Sequence, residues 1–308
     1  MQHLERLSTS QQSAALELIA QTTAIAGTPP IAEHILLHLR HGGDKSDSHL
    51  LIENSTQVIG YAHIDQTDLV AGPSVELVVA PDHRASDVGE KLLSEAIKIC
   101  GNKIRLWVHG QQAATHTLAT SHNFEKIRTV LQMSRSLAEI QQLPVIDPKI
   151  SIRSFLPAID NQPWLELNNL VFKDHPEQGG WGVSDLNHRV NEEWFDEKGF
   201  FIAERDNQMI GFTWTKIHGA HSHDHGGNES AHAHPAIGEI YVTAISPSFA
   251  GAGIGKALTI TALNYLKYQG LADVILYVDA ENQSAINLYQ SLGFKEFGKD
   301  LLFKLQLA

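Results

Sequence analysis

The chain has 308 residues, 43% of them hydrophobic, and a formal net charge of −12. This composition is typical of a globular protein, and the length predicts two domains. The acidic balance argues against sequence-independent nucleic-acid binding, which requires an excess of cations. No apolar run is long enough to span a membrane and the N-terminus lacks a signal-peptide pattern, so we expect a soluble, cytoplasmic protein without membrane contact. The single cysteine, Cys100, excludes an internal disulfide framework and fits a reducing compartment.

The first half of the chain predicts one α/β unit. Apolar periodicity and Gly/Pro punctuation place its elements in this order: a helix over 10–26, a short helix carrying Ile31 to Leu39, a hairpin over 50–64, a strand over 75–80, a helix over 88–99, a strand over 104–108, a short helix over 115–121 and a strand over 127–134. Residues 141–150, with two prolines, predict a linker.

The second half repeats this order. The segment 53–61 reads ENSTQVIGY and 204–212 reads ERDNQMIGF, and SHNF at 121–124 matches SLGF at 291–294. A predicted helix pair, Trp164–Phe172 and Leu186–Phe195, precedes the second hairpin. The agreement in order favours an internal duplication over chance similarity, and predicts domains over 1–140 and 151–308 joined by the linker 141–150.

A histidine-rich tract, residues 218–234, interrupts the repeat between two predicted strands and contains six histidines. Histidine clusters bind metals in some proteins, but this tract is rich in Gly, Ala and Ser and fixes no ligand geometry. We interpret it as a solvated loop, with adventitious metal binding as the alternative, and expect no functional metal site in the chain.

The stretch Glu239–Leu266 predicts a strand, a glycine-rich turn and a helix. Pro247 ends the strand because it cannot donate to a ladder, and Gly251, Gly253 and Gly255 permit a tight turn. Two interpretations remain open on these residues alone. The glycines serve packing, or the turn directs backbone N–H groups and a helix dipole at an anionic phosphate.

Each half resembles a GCN5-related N-acetyltransferase domain. That family places the pyrophosphate of acetyl-CoA on a Q/R-x-x-G-x-G/A turn, which residues 250–255, AGAGIG, match except that Ala250 replaces Gln or Arg. Residues 282–294 match its second motif, N-x-x-A-x-x-L-Y…G-F. The resemblance implies an α/β (α+β) fold: two tandem domains, each a mixed, mostly antiparallel sheet flanked by helices. It also implies acetyl-CoA as co-substrate, bound by Thr243, Ala244, Ile245, Ala250, Gly251, Ala252, Gly253, Ile254, Gly255, Lys256, Asn282, Gln283, Ser284, Ala285, Ile286 and Asn287.

Amide formation from acetyl-CoA requires a neutral amine and releases a thiolate. We therefore assign Glu239, at the start of the predicted strand, as general base acting through water. Tyr289, inside the second motif, is assigned as the acid that protonates the thiolate. The competing interpretations are a solvated strand-end carboxylate and a packing tyrosine.

The first half lacks both groups. Matching Pro81 with Pro247 places Pro73 where Glu239 stands, and matching Phe124 with Phe294 places Ala119 where Tyr289 stands. Its turn, 84–89, carries Asp87 at a glycine position, where a carboxylate would repel phosphate. We expect this half to be non-catalytic, and a weakened CoA site there would involve Leu77, Val78, Val79, Ala85, Ser86, Asp87, Val88, Gly89 and Glu90.

A narrower resemblance, to the mycothiol synthase family, covers almost the whole chain. It rests on HPEQGGW at 175–181, WFD at 194–196, GFTWTK at 211–216 and GEIYV at 238–242. It implies N-acetylation of the cysteinyl amine of Cys-glucosaminyl-inositol, the last step of mycothiol biosynthesis. We expect the enzyme to act as a monomer. The implied substrate contacts, at an acceptor site between the halves, are Glu33, Glu177, Lys216, Glu239 and Tyr277. Two alternatives remain: acetylation of another small amine or peptide N-terminus, and a non-catalytic CoA-binding module.

Overall fold

The structure is a computed structural model that describes residues 1–41, 47–55, 57–67, 72–110, 113–175, 178–219 and 236–306, without the side chains of His41, Asn102 and Ala158. Its residues form two compact units. Unit 1 comprises 1–132, 279–281 and 298–308, and unit 2 comprises 133–278 and 282–297. Within the described ranges, no helix is long and apolar enough to cross a membrane.

Unit 1 is a mixed sheet with helices. In chain order its elements are β1 (Gln2–Leu4), α1 (Thr9–Ala26), α2 (Glu33–His41), β2 (Ser48–Glu53), β3 (Val58–Asp65), β4 (Ser74–Val79), α3 (Val88–Cys100), β5 (Arg105–Val108), α4 (Ala113–Ser121) and the first part of β6 (Phe124–Ser136). Strands β1 to β4 pair antiparallel in sequence, and β4 pairs parallel with β5. The last strand of the chain, β12 (Lys295–Leu305), pairs antiparallel with β5 through residues 301–304.

Unit 2 has the same plan. Its elements are the end of β6, β7 (Ile150–Ser154), α5 (Pro157–Val171), α6 (Val183–Val190), β8 (Phe200–Arg205), β9 (Gln208–His218), β10 (Ile237–Ile245), α7 (Ile254–Tyr268), β11 (Asp273–Asp279), α8 (Gln283–Ser291) and the first residues of β12. Strands β7 to β10 pair antiparallel in sequence, and β10 pairs parallel with β11. The shared plan of three antiparallel pairs followed by one parallel pair agrees with the predicted duplication and confirms the predicted fold class.

Local sequence explains where the helices begin and end. At the start of α1, the Ser8 hydroxyl accepts a hydrogen bond from the Gln11 N–H at 3.3 Å while the Gln11 amide oxygen accepts from the Ser8 N–H at 2.9 Å. This reciprocal cap satisfies two donors of the first turn. Gly27 then adopts a φ of +74°, a left-handed conformation that ends the helix at low steric cost.

Two predicted boundaries were wrong. The helix predicted over Leu186–Phe195 ends at Val190, because Trp194 and Phe195 leave the helix to pack their rings on Trp214. The histidine tract was predicted to start at His218, but this residue is the last of β9 and pairs with Ile237. The rest of the tract, 220–235, lies outside the described residues.

The two units do not divide the chain at residues 140 and 151, where the domain limits were expected. Strand β6 passes from unit 1 to unit 2 at residue 133, and residues 298–308 belong with unit 1 although they follow the second acetyltransferase-like sequence. From the sequence alone, the second domain was expected to continue to residue 308. Local hydrophobic periodicity predicts a strand but does not show which unit the strand joins. No helix or strand occupies 137–149, where the linker was expected.

Candidate active site

The central feature of unit 2 is a parallel strand pair that stops pairing halfway. Strands β10 and β11 pair only over Gly238–Ile240 and Val274–Leu276, although they continue to Ile245 and Asp279. Beyond residue 240, the edge of β10 that faces β11 has no ladder partner. Its backbone groups can therefore hydrogen-bond an extended ligand in the way that an added strand does. Thr243, Ala244 and Ile245, predicted to bind the cofactor, lie on this segment.

The glycine-rich turn follows β10 and opens α7. Gly251 and Gly253 adopt φ values of +79° and +78°, which glycine accepts with little strain. Among the described residues, no side chain caps the first turn of α7, so the N–H groups of residues 254–256 point out of the helix end toward any anion bound there. At Gly255 a Cβ would lie 3.5 Å from the Leu288 side chain, an ordinary van der Waals contact, so packing does not require glycine there. The positive φ values of Gly251 and Gly253 support the tight turn on which the anion-binding interpretation depends.

Helix α8 carries the second motif. The Asn282 side chain accepts a hydrogen bond from the Ala285 N–H at 3.1 Å, which caps the helix and fixes its direction. Gln283 donates to Asn287 at 2.7 Å one turn further along. The helix ends before Gly293, whose φ is +86°. In this structure the motif residues Asn282 to Asn287 thus build the helix end that presents Tyr289.

Tyr289 is almost fully buried, at 8% exposure. Burial raises the pKa of Tyr289 to about 12, and a side-chain hydrogen bond with Thr243 opposes part of this rise. The hydroxyls of Thr243 and Thr213 lie 2.7 Å apart. A row of three hydroxyls therefore runs from β9 across β10 to α8. The phenol keeps its proton at neutral pH and can act as a hydrogen-bond donor.

Glu239 lies at the start of β10 and is 6% exposed. Gly238 permits this position, because a Cβ there would come within 3.0–3.2 Å of Leu266 and Leu271, which pack on the strand. Burial alone raises the pKa of Glu239. A hydrogen bond and charge from His218, together with the charge of Lys216, outweigh burial and leave this pKa below its usual value. The carboxylate is therefore ionised at neutral pH despite its burial.

Two cationic or ionisable side chains surround this carboxylate. The Nε2 atom of His218 lies 2.6 Å from Oε2 of Glu239. Lys216 is the cross-strand partner of Glu239, and its ammonium lies 4.7 Å from the ring centre of Trp194 and 5.6 Å from that of Tyr241. Burial lowers the pKa of Lys216, and the charge of Glu239 opposes that shift.

Tyr241 is the extra residue of a β-bulge, since the register of β10 against β9 shifts between Ile240 and Val242. Its hydroxyl accepts a hydrogen bond from Arg189 Nε at 2.9 Å. Burial raises the pKa of Tyr241, and Arg189 works against this rise. The guanidinium of Arg189 also stacks 3.6 Å from the ring centre of Trp181. Trp181 and Trp194 both pack on other aromatic rings, in agreement with the packing interpretation.

The predicted substrate contacts fall in different parts of the structure. Glu33 is the first residue of α2 in unit 1. Lys216, Glu239 and Tyr277 lie in unit 2, where Lys216 and Glu239 form a pair and Tyr277 follows the last paired residue of β11. Glu177 lies outside the described residues. Among the three residues in unit 2, the structure brings Lys216 and Glu239 together.

Three residues near the site were missed by sequence reasoning. His218 was assigned to the histidine tract, and Thr213 and Arg189 were not singled out. For His218 a signal existed, because Lys216 and His218 are two apart on one strand and so share a face. For Arg189 no signal existed, since its partner Tyr241 is reached only through helix packing.

The equivalent cleft of unit 1 is degenerate. Strand β4 pairs with β3 without the bulge that Tyr241 makes in β10, so Ser74 rather than Pro73 corresponds to Glu239. Neither Pro73 nor Ser74 carries a carboxylate. The position in unit 1 that corresponds to Glu239 is therefore one residue later than the sequence predicted, and the conclusion that unit 1 lacks the base is unchanged.

A cavity of about 670 Å³ nevertheless opens in unit 1 where the weakened CoA site was expected. It is lined by five of the nine residues proposed for that site: Leu77, Val79, Ser86, Gly89 and Glu90. The exposed carboxylate of Asp87 lies 2.7 Å from the Lys91 ammonium, which compensates part of its charge. The cavity keeps CoA binding in unit 1 open to test.

Comparison with known proteins agrees with these observations. Residues 164–294 match the model of the Acetyltransferase (GNAT) family. Two solved structures share the fold over the whole chain. A tandem GNAT protein from the clavulanic acid biosynthesis pathway has a TM-score of 0.70 and 15% identity, covering 100% of this chain and 99% of its own. A GCN5-related N-acetyltransferase from Sphaerobacter thermophilus has a TM-score of 0.67 and 18% identity, covering 98% and 95%.

Curated relatives give a closer match. A mycothiol acetyltransferase of Acidothermus cellulolyticus is 42% identical over 93% of this chain and 89% of its own length. Those of Streptosporangium roseum and Streptomyces avermitilis are 37% and 38% identical, and cover 99% and 98% of this chain and 98% and 94% of their own lengths. The matched regions extend over nearly the whole chain and so include residues of both units. The chain therefore belongs to the mycothiol acetyltransferase family of GNAT acetyltransferases.

Proposed function

We propose that the protein transfers the acetyl group of acetyl-CoA to the cysteinyl amine of Cys-glucosaminyl-inositol, the last step of mycothiol biosynthesis. The observation that carries this proposal is the near full-length identity to mycothiol acetyltransferases, combined with a site in unit 2 that holds an ionised carboxylate and a protonated phenol. Acetyl transfer needs both groups, one to take a proton from the amine and one to serve the leaving thiolate.

Acetyl-CoA would bind along the unpaired edge of β10. The backbone of Thr243 to Ile245 offers hydrogen bonds to the amides of the pantetheine arm, as an edge strand does. The pyrophosphate would lie at the start of α7, where Gly251 and Gly253 bring the backbone close and the helix dipole favours negative charge. Since Ala250 contributes no polar side chain, the binding at this turn comes from backbone groups and the helix end.

The acceptor amine would approach near Glu239. An α-amino group is largely protonated at neutral pH, so the reaction requires proton removal. The ionised carboxylate accepts that proton through a water molecule, while His218 holds the carboxylate by its hydrogen bond. Because the pKa of Glu239 is low, the base is weak but fully available at neutral pH.

The leaving thiolate would be served by Tyr289. Thr243 is four residues beyond Glu239 on β10, about 13 Å along an extended strand, and Tyr289 hydrogen-bonds to Thr243. Base and acid thus lie at separate points along β10, as required by a reaction in which the acetyl group lies between amine and sulfur. Because the pKa of Tyr289, about 12, lies above that of an ordinary thiol, its hydrogen bond stabilises the thiolate before the proton moves.

We further propose that the protein works in the cytoplasm as a monomer, and that unit 1 does no chemistry. The single cysteine fits a reducing compartment. The positions in unit 1 that match the base and acid are Ser74 and Ala119, neither of which titrates near neutral pH. The predicted contacts of Glu33, Glu177, Lys216 and Tyr277 with the pseudo-disaccharide remain part of this proposal.

The decisive experiment is an acetyl-CoA-dependent assay with Cys-glucosaminyl-inositol. The release of CoA is followed, and the mass of the product is measured by mass spectrometry. We expect a single acetyl group on the cysteinyl nitrogen. Rapid acetylation of another amine or peptide N-terminus, without turnover of the pseudo-disaccharide, would overturn the substrate assignment. CoA binding without turnover of any amine would identify a binding module instead.

A further inference from the structure

A cluster of histidine and carboxylate side chains lies in unit 1, apart from the residues of the proposed active site in unit 2. His38 on α2, Asp47 just before β2 and His63 on β3 each offer one nitrogen or oxygen, and those atoms lie within 4.8 Å of one another. The side chains of His63 and Asp47 are 0% and 2% exposed, and that of His38 is 25% exposed. The cluster is buried on two sides and open at His38.

The fold holds each member by a different element. His63 lies in the middle of β3, paired with His49 on β2 and with Glu76 on β4. Helix α2 packs near this row and carries His34 and His38 four residues apart, so both lie on one helical face. The His38 ring centre lies 6.2 Å from that of His63. Residues distant in sequence are thus placed together by regular elements.

The distances within the cluster suit metal coordination. His38 Nδ1 lies 2.9 Å from Asp47 Oδ2, and His63 Nε2 lies 3.8 Å from Asp47 Oδ1. Nitrogen and oxygen ligands of a tetrahedral Zn²⁺ at 2.0–2.1 Å from the ion would be separated by about 3.3 Å. The two observed separations lie on either side of this value and involve different oxygens of Asp47, so the side chains must rotate to bring all three ligands onto one ion.

His63 supplies an independent reason to expect a ligand. Within the described part of the chain, neither of its ring nitrogens has a hydrogen-bond partner. Buried imidazoles nearly always have such partners, because water is excluded and an unsatisfied nitrogen is costly.

We propose that His38, Asp47 and His63 bind one divalent transition-metal ion of the Zn²⁺ type. Two imidazoles and one carboxylate are ligands that Zn²⁺ and its neighbours accept, and three protein ligands leave one position to water on the side of His38. The ion would connect α2, the start of β2 and β3, and so stabilise unit 1. Its site differs from the histidine-rich tract, which was the only metal candidate recognised from the sequence.

The alternative without a metal is a hydrogen-bonded network in which the Asp47 carboxylate accepts a hydrogen bond from His38. That network accounts for the 2.9 Å contact, but it gives the nitrogens of His63 no hydrogen bond, since 3.8 Å is too long for one. His49 does not belong to the group of three neighbouring ligand atoms, and its Nδ1 lies 2.9 Å from the Tyr61 hydroxyl. The two interpretations differ in whether saturable metal binding depends on His63.

The test is a titration of the full chain with Zn²⁺ and, for spectroscopy, with Co²⁺. Metal binding by the histidine-rich tract must first be removed. All proteins in the titration therefore carry serine in place of His221, His223, His225, His232 and His234. We expect one equivalent of bound metal, visible d–d absorption of tetrahedral Co²⁺, and a higher Tm with Zn²⁺ than without it.

In that background, H63Q and D47N should each weaken binding by at least about 10–100-fold, because replacing a ligand costs no less than replacing its supporting partner. H49Q is the matched control and should retain the bound equivalent. If H63Q does not fold, D47N and H38Q decide the question, since D47N preserves shape and His38 is partly exposed. Absence of saturable binding, or binding that survives D47N and H38Q, would overturn the proposal.

Discussion

The imidazole of His218, the last residue of β9, and the carboxylate of Glu239, near the start of β10, are joined by a hydrogen bond of 2.6 Å. The two residues are 21 positions apart in the sequence. The bond keeps a buried carboxylate ionised, and burial by itself would favour its protonated form. The proposed general base therefore depends on a residue outside both acetyltransferase motifs.

Replacing the proposed base should remove most of the activity. We expect Glu239→Gln to lower kcat by about 10²–10⁴-fold, because the amide keeps the shape but accepts no proton. Steady-state kinetics with acetyl-CoA and the pseudo-disaccharide measure the effect. The exposed Glu197→Gln is a matched control with the same chemical change. Equal rates for Glu239→Gln and the control would exclude the carboxylate as base.

Replacing His218 should change the pH dependence rather than abolish the reaction. His218→Gln removes the strongest interaction that lowers the pKa of Glu239, so burial raises that pKa. The ionised base is then lost at a higher pH as the solution is acidified. The acidic limb of the kcat profile should move to higher pH, with activity recovering at alkaline pH. In a Glu239→Gln background the same change should have no such effect, and a shift that persists there would assign the titration to another group.

The proposed acid is tested by Tyr289→Phe. Loss of the hydroxyl should lower kcat by about 10²–10⁴-fold with little change in the KM for acetyl-CoA. Tyr268→Phe, whose ring is 89% exposed at the end of α7, is the control. Thr243→Val should have a smaller effect in the same direction, because it removes only the hydrogen bond to the phenol. If kcat is unaltered in Tyr289→Phe, the hydroxyl is not the acid and Tyr289 serves packing only.

The glycine turn can be tested with two substitutions of equal backbone strain. Gly253 and Gly270 have φ values of +78° and +83°, and a Cβ meets nothing closer than 3.8 Å at either. Alanine at each should destabilise the fold by about 1–2 kcal/mol, the cost of a left-handed non-glycine residue. Only Gly253→Ala should also raise the KM for acetyl-CoA. Equal KM values would show that the turn does not hold the phosphate.

Acetyl-CoA binding by unit 1 is open to a stoichiometric test. We expect calorimetry of the whole protein to show one tight equivalent, bound in unit 2, since Asp87 opposes phosphate in unit 1. Asp87→Asn should strengthen any second, weaker binding by about 2–5-fold, the scale of one charge at a helix N-terminus. Asp206→Asn, an exposed residue of unit 2, controls for net charge. Two equally tight equivalents in the unaltered protein would contradict this expectation.

Local sequence was sufficient for most of the fold. The hairpins, the glycine turn and the helix that begins near residue 254 follow from apolar periodicity, proline stops and glycine conformations, which act over a few residues. The repeated order of elements followed from two similar segments, ENSTQVIGY and ERDNQMIGF. The helix boundary at Val190 did not follow, because the aromatic rings of Trp194 and Phe195 find their partners on a distant strand.

The stretch Glu239–Leu266 shows which properties follow from the local sequence and which from the tertiary structure. The sequence by itself determined that it forms a strand, a phosphate-suited turn and a helix of an acetyltransferase-like domain, because glycine and proline restrict the backbone locally. Only the tertiary structure decided that His218 keeps Glu239 ionised, that Thr243 contacts Tyr289, and that β10 and β11 stop pairing after residue 240. These properties depend on burial and on partners supplied by other elements, and neither is encoded in local periodicity.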